Sequence, residues 1–241
     1  MGENDTYWLE RTELLLGKKQ LKKLTNKHVL VVGLGGVGAY AAEQICRAGI
    51  GELTIVDGDI IQQTNINRQL PALHSTVGMP KAEYIGKRLL DINPNLKLHI
   101  IQEYIRDERL NEIIGKPYDY VVDAIDTLSP KTFLINNAVK CGQRIVSSMG
   151  SGGKMNPEMV RISDISESQG CPLARMLRKR LHRLGVHTGV KVVYSPEEVP
   201  EHAMRPCDEP NKKTTIGTIS YMPPLFGCMI ASVVIRDLLN D

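Results

Sequence analysis

A glycine-rich turn between an apolar run and a helix restricts the possible folds of this chain more than its other segments do. Residues 28–33 read HVLVVG, which is typical of a buried parallel strand, and residues 37–49 form a small-residue helix pattern. Between them stands the sequence GLGGVG, whose glycines are Gly33, Gly35, Gly36 and Gly38. Glycines let the backbone approach a phosphate closely, and the free N–H groups at a helix start favour an anion. The turn predicts a nucleotide-binding loop without saying which nucleotide.

The same alternation of strands and helices continues through the first 150 residues. Strands are predicted at 52–57, 96–101, 119–123 and 144–148, and helices at 81–92, 107–114 and 130–141. Such alternation implies right-handed βαβ crossovers. We therefore expect an α/β fold of the Rossmann-like, doubly wound type, with a mostly parallel central sheet and helices on both faces.

After about residue 150 the regular alternation of predicted strands and helices ends. Strand-like segments at 159–162 and 191–195 lie on either side of a helix near 172–184, and the proline- and charge-rich stretch 196–213 is typical of a mobile loop. A length of 241 residues with 42% hydrophobic content suits one domain. We expect a helical arm at 1–27, a nucleotide-binding core at 28–150 and, at 151–241, mixed strands that complete the sheet and carry a substrate surface.

Cysteine spacing and hydropathy argue against several protein classes. The five cysteines include no C-x-x-C pair, which argues against a disulfide framework and a structural zinc site and fits a reducing cytosol. No zinc is therefore expected. The N-terminal residues do not resemble a secretory signal. The apolar run 222–235 is about 14 residues long, short of the ~20 that cross a bilayer, so we expect a buried helix, no membrane insertion and a cytoplasmic protein.

Two acids follow the second predicted strand. Asp57 and Asp59 stand where a carboxylate accepts hydrogen bonds from ribose hydroxyls, as in NAD-binding proteins. A pair of loop acids that caps a turn is the alternative. Together with the glycine turn alone, these acids favour a dehydrogenase.

Two cations further along favour ATP over NAD. The segment 65–69 reads NINRQ, and GMPK at 78–81 opens a helix. An adenylating site neutralises the triphosphate and the charge that builds at the α-phosphorus under carboxylate attack. Arg68 offers a planar fork of donors and Lys81 a point charge near a helix start. Two ordinary surface cations are the alternative.

The sequence DAID at 123–126 ends the fourth predicted strand, where ligands of open α/β sheets collect. Asp126 is placed to hold Mg²⁺, a hard cation that prefers carboxylate and water oxygens. A simple helix cap is the alternative for this residue.

In this order, GLGGVG, VDGD, TNINRQ, GMPK and DAID resemble the adenylation domain shared by ubiquitin-activating, molybdopterin-synthase-activating and thiazole-adenylyltransferase enzymes, over residues 8–150. The resemblance implies ATP and Mg²⁺ as ligands, with catalytic roles for Arg68, Lys81 and the metal-bound Asp126. The nucleotide contacts that it implies are Gly33, Gly35, Gly36, Gly38, Asp57, Asp59, Asn65, Asn67, Arg68, Gln69, Lys81 and Asp123. The segment 11–17, RTELLLG, resembles the N-terminal arm whose arginine enters the other subunit's ATP site. This implies a homodimer in which Arg11 acts in trans.

Motifs of the second half resemble the tRNA threonylcarbamoyladenosine dehydratases, which cyclise a modified adenosine at position 37 of tRNA. They are SSMGSGGK at 147–154, CPLA at 171–174, VVYS at 192–195 and GTISY at 217–221. The resemblance implies that the threonine carboxylate attacks the α-phosphate of ATP, and that the activated carbonyl then closes with loss of water.

A basic helix supports an RNA partner independently. Residues 172–184 carry several cations that could bind the phosphates of RNA. The alternative is that these cations form an ordinary solvent-exposed helix face. These cations are Arg175, Arg178, Lys179, Arg180 and Arg183.

Three other functions stay open from the sequence. An activating enzyme for a ubiquitin-like or sulfur-carrier protein would share the ATP site and would need such a protein partner and a thioester at Cys171. Cyclisation onto an acyl-adenylate does not require that cysteine. An NAD-dependent oxidoreductase is disfavoured by Arg68 and Lys81. An RNA-binding module with an inactive nucleotide site would bind tRNA without turning over ATP.

Overall fold

The computed structural model describes residues 7–207 and 214–240. The strands of its main sheet are β1 His28–Val32, β2 Glu52–Val56, β3 Lys97–Ile101, β4 Tyr120–Asp123, β5 Ile145–Ser148, β6 Arg161–Asp164 and β7 Lys191–Tyr194. Their order across the sheet is β3-β2-β1-β4-β5-β7-β6. Neighbouring strands are parallel except β6, which runs antiparallel to β7 at the edge.

Eight α-helices are present in the described residues. They are α1 Glu10–Leu16, α2 Lys18–Leu24, α3 Gly38–Arg47, α4 Lys81–Ile92, α5 Asp107–Ile114, α6 Leu128–Lys140, α7 Pro172–Arg183 and α8 Met222–Leu239. Residues of α3, α4 and α8 pack on one face of the sheet, and residues of α5, α6 and α7 pack on the other. The predicted Rossmann-like, doubly wound sheet with helices on both faces is confirmed.

The central strands explain why this sequence forms buried parallel strands. In β1, Val29 and Val31 belong to the apolar cluster on one face, while Leu30 and Val32 belong to the cluster on the other. Because both faces are covered, a continuous apolar run is needed in place of an alternating one. The strand then ends at glycines that turn the chain over the edge of the sheet.

The C-terminal helix α8 is longer than the expected 14 residues, since it has 18 residues from Met222 to Leu239. Pro223 and Pro224 lie in its first turn, where a missing N–H costs no helical hydrogen bond. In the described part of the chain, α8 is the one helix long and apolar enough to cross a membrane by length and composition, and half of that window is buried inside the protein. A Cβ on Gly227 would lie 2.5 Å from the carbonyl oxygen of Val37, so α8 packs closely against the start of α3.

The stretch expected to be a mobile loop contains a strand. Strand β8, Met204–Pro206, pairs antiparallel with β9, Thr214–Ile216, in a separate two-stranded sheet. The composition predicted a loop because composition carries no information about pairing with a strand further along the chain. Proline is also tolerated on such edge strands. Residues 208–213 of that stretch, and residues 1–6 of the expected helical arm, lie outside the described residues.

Candidate active site

The carboxyl ends of β1, β2 and β4 meet where the strand order reverses. Strands β2 and β3 lie to one side of β1, and β4 and β5 lie to the other. In an open α/β sheet, ligands bind in the crevice outside these ends. The loops that follow the three strands carry the GLGGVG motif, the acids at 57 and 59, and the acids at 123 and 126. The fold therefore brings these motifs to one crevice.

The glycine loop packs tightly against the loop after β4. Gly33 has a φ of 91°, and a Cβ on it would lie 2.8 Å from the carbonyl oxygen of Ala124. A Cβ on Gly38 would lie 1.7 Å from the carbonyl oxygen of Gly33. Because any side chain at these positions would separate the two loops, only glycine fits.

The other two glycines of the loop differ in their surroundings. A Cβ on Gly36 would lie 2.9 Å from Pro223 of α8, so the loop is close-packed there as well. A Cβ on Gly35 would have only the amide nitrogen of Gln69 within 4 Å, at 3.7 Å. The backbone at Gly35 therefore stays approachable, and α3 begins three residues later with the free N–H groups that bind an anion.

Asp57 holds the glycine loop in place. Its Oδ2 accepts the N–H of Leu34 at 2.6 Å, and its Oδ1 accepts the N–H of Asp59 at 2.8 Å. Burial raises the pKa of the Asp57 carboxyl, against the opposing charge of Lys81 and these two hydrogen bonds. Since each carboxylate oxygen has more than one lone pair, Asp57 can also accept a hydrogen bond from a ribose hydroxyl.

The Lys81 side chain is buried at the crevice, and its ammonium group forms an ion pair with Asp59. Its Nζ lies 2.7 Å from Asp59 Oδ2, and the Lys81 side chain is 5% exposed against 47% for Asp59. The hydroxyl of Tyr104 donates to the other oxygen of Asp59, which raises the pKa of Tyr104 to about 12. A Cβ on Gly58 would lie 2.6 Å from the Tyr104 ring, so the ring packs on the loop itself.

Sequence reasoning missed Tyr104. It follows the end of β3 by three residues, at the same carboxyl edge of the sheet as the acids. The rule that ligands collect at that edge is the signal that could have found it.

Arg68 is half-buried and interacts with Asp126. Its Nη1 donates to Asn67 Oδ1 at 2.8 Å and to the carbonyl oxygen of Thr64 at 2.9 Å. Burial lowers the pKa of Arg68, and the charge of the exposed Asp126 opposes this. The Asn67 amide donates to the carbonyl oxygen of Thr218 at 2.9 Å. The predicted phosphate-binding cation and the predicted metal ligand are therefore neighbours, and Asn67 ties them to the loop after β9.

The two remaining polar residues of the segment have different surroundings. Asn65 is 7% exposed, and its Oδ1 accepts the N–H of Gln62 at 3.0 Å, which shapes the turn. The Oε1 of Gln69 is buried and has no hydrogen-bond partner within residues 7–207 and 214–240. A buried acceptor without a donor is costly. A hydroxyl or amino group of a nucleotide would supply the missing donor, so the residues present suit such a ligand.

The carboxylate of Asp123 forms an ion pair and hydrogen bonds below the crevice. Its Oδ2 lies 2.6 Å from Lys131 Nζ, and both side chains are 0% exposed. The hydroxyl of Ser147 donates to the same oxygen at 2.6 Å, and the N–H of Ile125 donates to Oδ1 at 3.1 Å. Because its oxygens bind these donors within the fold, Asp123 positions the loop after β4, and its expected contact with the nucleotide stays a prediction.

The segment just before Arg11 packs at the end of α3 that is farthest from the glycine loop of the same chain. A Cβ on Gly49, which follows α3, would lie 3.1 Å from the side chain of Leu9, just before α1. Helix α3 begins at the glycine loop and its ten residues extend for ~15 Å at 1.5 Å per residue. Arg11 is exposed on α1, so the fold of one chain does not place it among the crevice residues.

Comparison with known proteins settles the family. The sequence profile of the ThiF family matches residues 9–241. The chain belongs to this family.

Two relatives of this ThiF family member are similar over different lengths. The tRNA threonylcarbamoyladenosine dehydratase of Bacillus subtilis (strain 168) is 35% identical over 239 residues, which cover 96% of this chain and 94% of that one. The dehydratase of the same description from Escherichia coli (strain K12) is 37% identical over 177 residues, which cover 72% of this chain and 66% of that one.

A solved structure extends the similarity to the whole fold. The crystal structure of the E. coli tRNA N6-threonylcarbamoyladenosine dehydratase TcdA in complex with ATP has a TM-score of 0.91 and 30% sequence identity to this ThiF family chain. The superposition covers 99% of this chain and 96% of that one. The similarity therefore includes the second half as well as the nucleotide crevice.

The basic helix α7 of this ThiF family member has one buried and one charged face. Ala174, Leu177 and Leu181 are buried. Arg178 is half-buried, and its Nη1 donates to the carbonyl oxygen of Ser168 at 2.6 Å, so it is held by the fold and is not displayed with the other cations. The cations on the exposed face are Arg175, Lys179, Arg180 and Arg183.

Cys171 stands just before α7 and is buried, with 4% of its surface exposed. It lines a small cavity of about 340 Å³ together with Gly170, Pro172, Arg175 and Arg178. The cysteine is therefore poorly placed to meet the tail of a protein partner in this conformation.

Proposed function

We propose that this protein is an ATP-dependent tRNA threonylcarbamoyladenosine dehydratase. The observation that carries the proposal is its likeness to the ATP complex of the E. coli dehydratase over 99% of the chain. The reaction is adenylation of the threonylcarbamoyl carboxylate at position 37 of tRNA. Cyclisation with loss of water then follows, and AMP and pyrophosphate are released.

In this proposal the crevice positions the triphosphate before any bond changes. The backbone N–H groups near Gly35 and at the start of α3 bind phosphate oxygens, and Asp57 accepts a hydrogen bond from the ribose. Arg68 and Lys81 supply positive charge as negative charge builds at the α-phosphorus under carboxylate attack. Lys81 is already buried and held by Asp59, so little reorganisation accompanies that step.

Asp126 is the residue that would hold Mg²⁺. Its carboxylate is exposed at the crevice near Arg68, and carboxylate oxygens are ligands that Mg²⁺ prefers. Bound Mg²⁺ supplies charge neutralisation on the phosphate oxygens. Asp123 supports this arrangement from below by fixing the loop that carries Asp126.

The cyclisation step needs no nucleophile from the protein. The carbamoyl group of the substrate closes on the activated carbonyl and expels AMP. The rival function is adenylation of the C-terminus of a ubiquitin-like or sulfur-carrier protein, with a thioester at Cys171. The burial of Cys171 disfavours it.

The homodimer and the trans role of Arg11 are part of the same proposal. None of the residues of α1 is buried, and Leu14 and Leu15 are 80% and 83% exposed. Apolar side chains exposed together mark a surface that another molecule covers. A second copy of this chain would cover α1 and bring Arg11 to the crevice of its partner.

The exposed cations of α7 form the tRNA surface of the proposed enzyme. Arg175, Lys179 and Arg183 are spaced four residues apart, so they lie along one side of the helix. A row of cations can follow a phosphate backbone without reading sequence. A tRNA-modifying enzyme of this kind works where mature tRNA is found, which fits a cytoplasmic location.

The test is to incubate the protein with Mg-ATP and tRNA that carries threonylcarbamoyladenosine, then to digest the tRNA and weigh the nucleosides. We expect that nucleoside to lose one water while AMP forms. Lys81→Met should abolish the change, whereas Lys87→Met, at an exposed position of the same helix, should not. An unchanged nucleoside, with ATP–pyrophosphate exchange that depends on a carrier protein, would support the rival instead.

A further inference from the structure

Three side chains with metal-binding atoms meet at the amino edge of the sheet, opposite the nucleotide crevice. His28 begins β1, Glu52 begins β2 and His99 lies in β3. The strand register pairs His28 with Glu52, and His99 with Thr54. Because residues two apart on a strand share a face, the three donors project from the same side of three adjacent strands.

The distances among the donor atoms suit a shared metal ion. One ring nitrogen of each histidine and one carboxylate oxygen all lie within 4.8 Å of one another. His99 Nε2 is 2.8 Å and His28 Nδ1 is 3.5 Å from Glu52 Oε1. Ligands of a tetrahedral zinc ion at ~2.1 Å are separated by roughly 3.4 Å, so small side-chain movements complete the site.

The His28 ring is already oriented for this role. Its Nε2 lies 2.8 Å from the hydroxyl of the buried Thr54. The ring of Tyr118 packs against it edge-on, with the ring centroids 4.7 Å apart. A hydrogen bond on one ring nitrogen that leaves the other facing the metal is the usual arrangement around metal-binding histidines.

We propose that His28, Glu52 and His99 form a binding site for a divalent transition metal, with Zn²⁺ as the best-fitting ion and water in the remaining position. Two imidazoles and one carboxylate are a donor set for zinc and its neighbours, whereas Mg²⁺ and Ca²⁺ prefer oxygen atoms alone. This proposal departs from the expectation of no zinc, which rested on the absence of C-x-x-C pairs, because histidine and glutamate side chains are a different donor set.

Lys97 competes with the metal ion for the carboxylate of Glu52. Its Nζ lies 3.0 Å from Glu52 Oε1, and its side chain is 67% exposed. Exposed ion pairs contribute little because water and salt replace the partner at small cost. The ammonium can therefore leave the carboxylate when a divalent cation arrives.

The metal site stabilises the sheet and takes no part in adenylation. It joins the first residues of β1 and β2 to the middle of β3, while ATP binds beyond the carboxyl ends of the strands. Strand β1 has five residues, which places the two sites ~15 Å apart at about 3.3 Å per residue. Metal that binds the folded chain raises its melting temperature without altering the affinity for ATP.

The experiment is a titration of the untagged full-length protein with Co²⁺, followed by its visible absorption, and with Zn²⁺, followed by calorimetry. We expect one equivalent to bind, and we expect Glu52→Gln and His99→Gln each to weaken binding at least tenfold. Lys97→Ala should tighten binding severalfold because it removes the competing ammonium. His99 and Lys97 are exposed and Glu52 is half-buried, so we expect these variants to fold, and metal-free melting curves verify this.

The matched control is His182→Gln. His182 and His187 have ring centroids 4.7 Å apart and form the other histidine pair in close contact among the described residues away from this cluster. We expect that variant to bind metal as the unaltered protein does. The proposal is overturned if Co²⁺ shows no saturable binding, if Glu52→Gln and His99→Gln bind as tightly as the unaltered chain, or if His182→Gln removes the site.

Discussion

At the scale of single residues, the crevice depends on side chains that belong to none of the nucleotide-binding motifs. Tyr104 donates a hydrogen bond to Asp59, which in turn holds Lys81. Lys131 forms a buried ion pair with Asp123, below the loop that carries Asp126. The contacts of Tyr104 and Lys131 therefore orient the acidic residues of the nucleotide-binding motifs.

The first prediction concerns Tyr104→Phe. Loss of the hydroxyl frees one oxygen of Asp59, so Lys81 is held less firmly. A hydrogen bond to a charged group that is partly exposed contributes on the order of 1 kcal/mol, so we expect the KM for ATP to rise about fivefold with little change in stability. Tyr84→Phe, on the same helix as Lys81, is the control and should leave the KM unchanged. Equal ATP kinetics in the two variants would contradict the role of Tyr104.

The second prediction concerns Lys131→Met. Removing one partner of a buried ion pair leaves an unpaired charge and costs ~3–5 kcal/mol of unfolding free energy. Urea denaturation should show this loss, and adding Asp123→Asn in the same chain should recover most of it because the stranded charge is then gone. Lys140→Met, at an exposed position of α6, should change stability little. A mild effect of Lys131→Met alone would mean that the pair is not buried in solution.

At the scale of secondary structure elements, α7 combines a packing face with a charged face. Its apolar residues contribute to the core beside α5 and α6, and Arg178 ties it to the preceding loop. The other cations on the helix are exposed. Charge reversal on the exposed side therefore changes the electrostatic surface without disturbing the fold.

The third prediction concerns the double variant Lys179→Glu and Arg183→Glu. We expect tRNA affinity to fall at least tenfold, and we expect the slope of log affinity against log salt to drop by on the order of one for each lost phosphate contact. The affinity for ATP should stay unchanged. The control, Lys19→Glu with Lys22→Glu, makes the same charge change on exposed positions of α2. Equal tRNA binding by the two double variants would remove α7 from the RNA surface.

At the scale of the whole molecule, the proposed homodimer would build each active site from two chains, because Arg11 is not among the crevice residues of its own chain. The N-terminal helix is anchored at the end of α3 that is farthest from the glycine loop. A closed twofold dimer makes each contact twice, so both crevices would receive an arginine from the partner.

The fourth prediction follows from this geometry. Arg11→Ala and Arg68→Ala should each be inactive alone, and an equal mixture of refolded subunits should recover roughly a quarter of the activity, because half of the randomly formed dimers are mixed and each has one intact site. Activity assays before and after subunit exchange provide the measurement. A mixture as inactive as its components would place Arg11 outside the partner's site.

Much of the fold and part of the site could be predicted from the sequence, since both rest on local rules. Apolar runs that end in glycine mark buried parallel strands, and polar residues just after such strands lie at the ligand-binding edge. Those rules placed the glycine loop and Asp57 at this edge, whereas Lys81 was proposed from its position at the start of a helix. They also place Asp123 at this edge, but they do not reveal its buried ion pair with Lys131.

The order of strands and helices, the glycine turn and the chemical type of each crevice residue follow from the chain alone, because they depend on neighbours in the sequence. Which side chains meet depends on the folded structure. The pairs Tyr104–Asp59 and Lys131–Asp123 and the cluster of His28, Glu52 and His99 depend on strand order and register. Register is set by how whole strands pack and pair, so no spacing within the sequence reveals it.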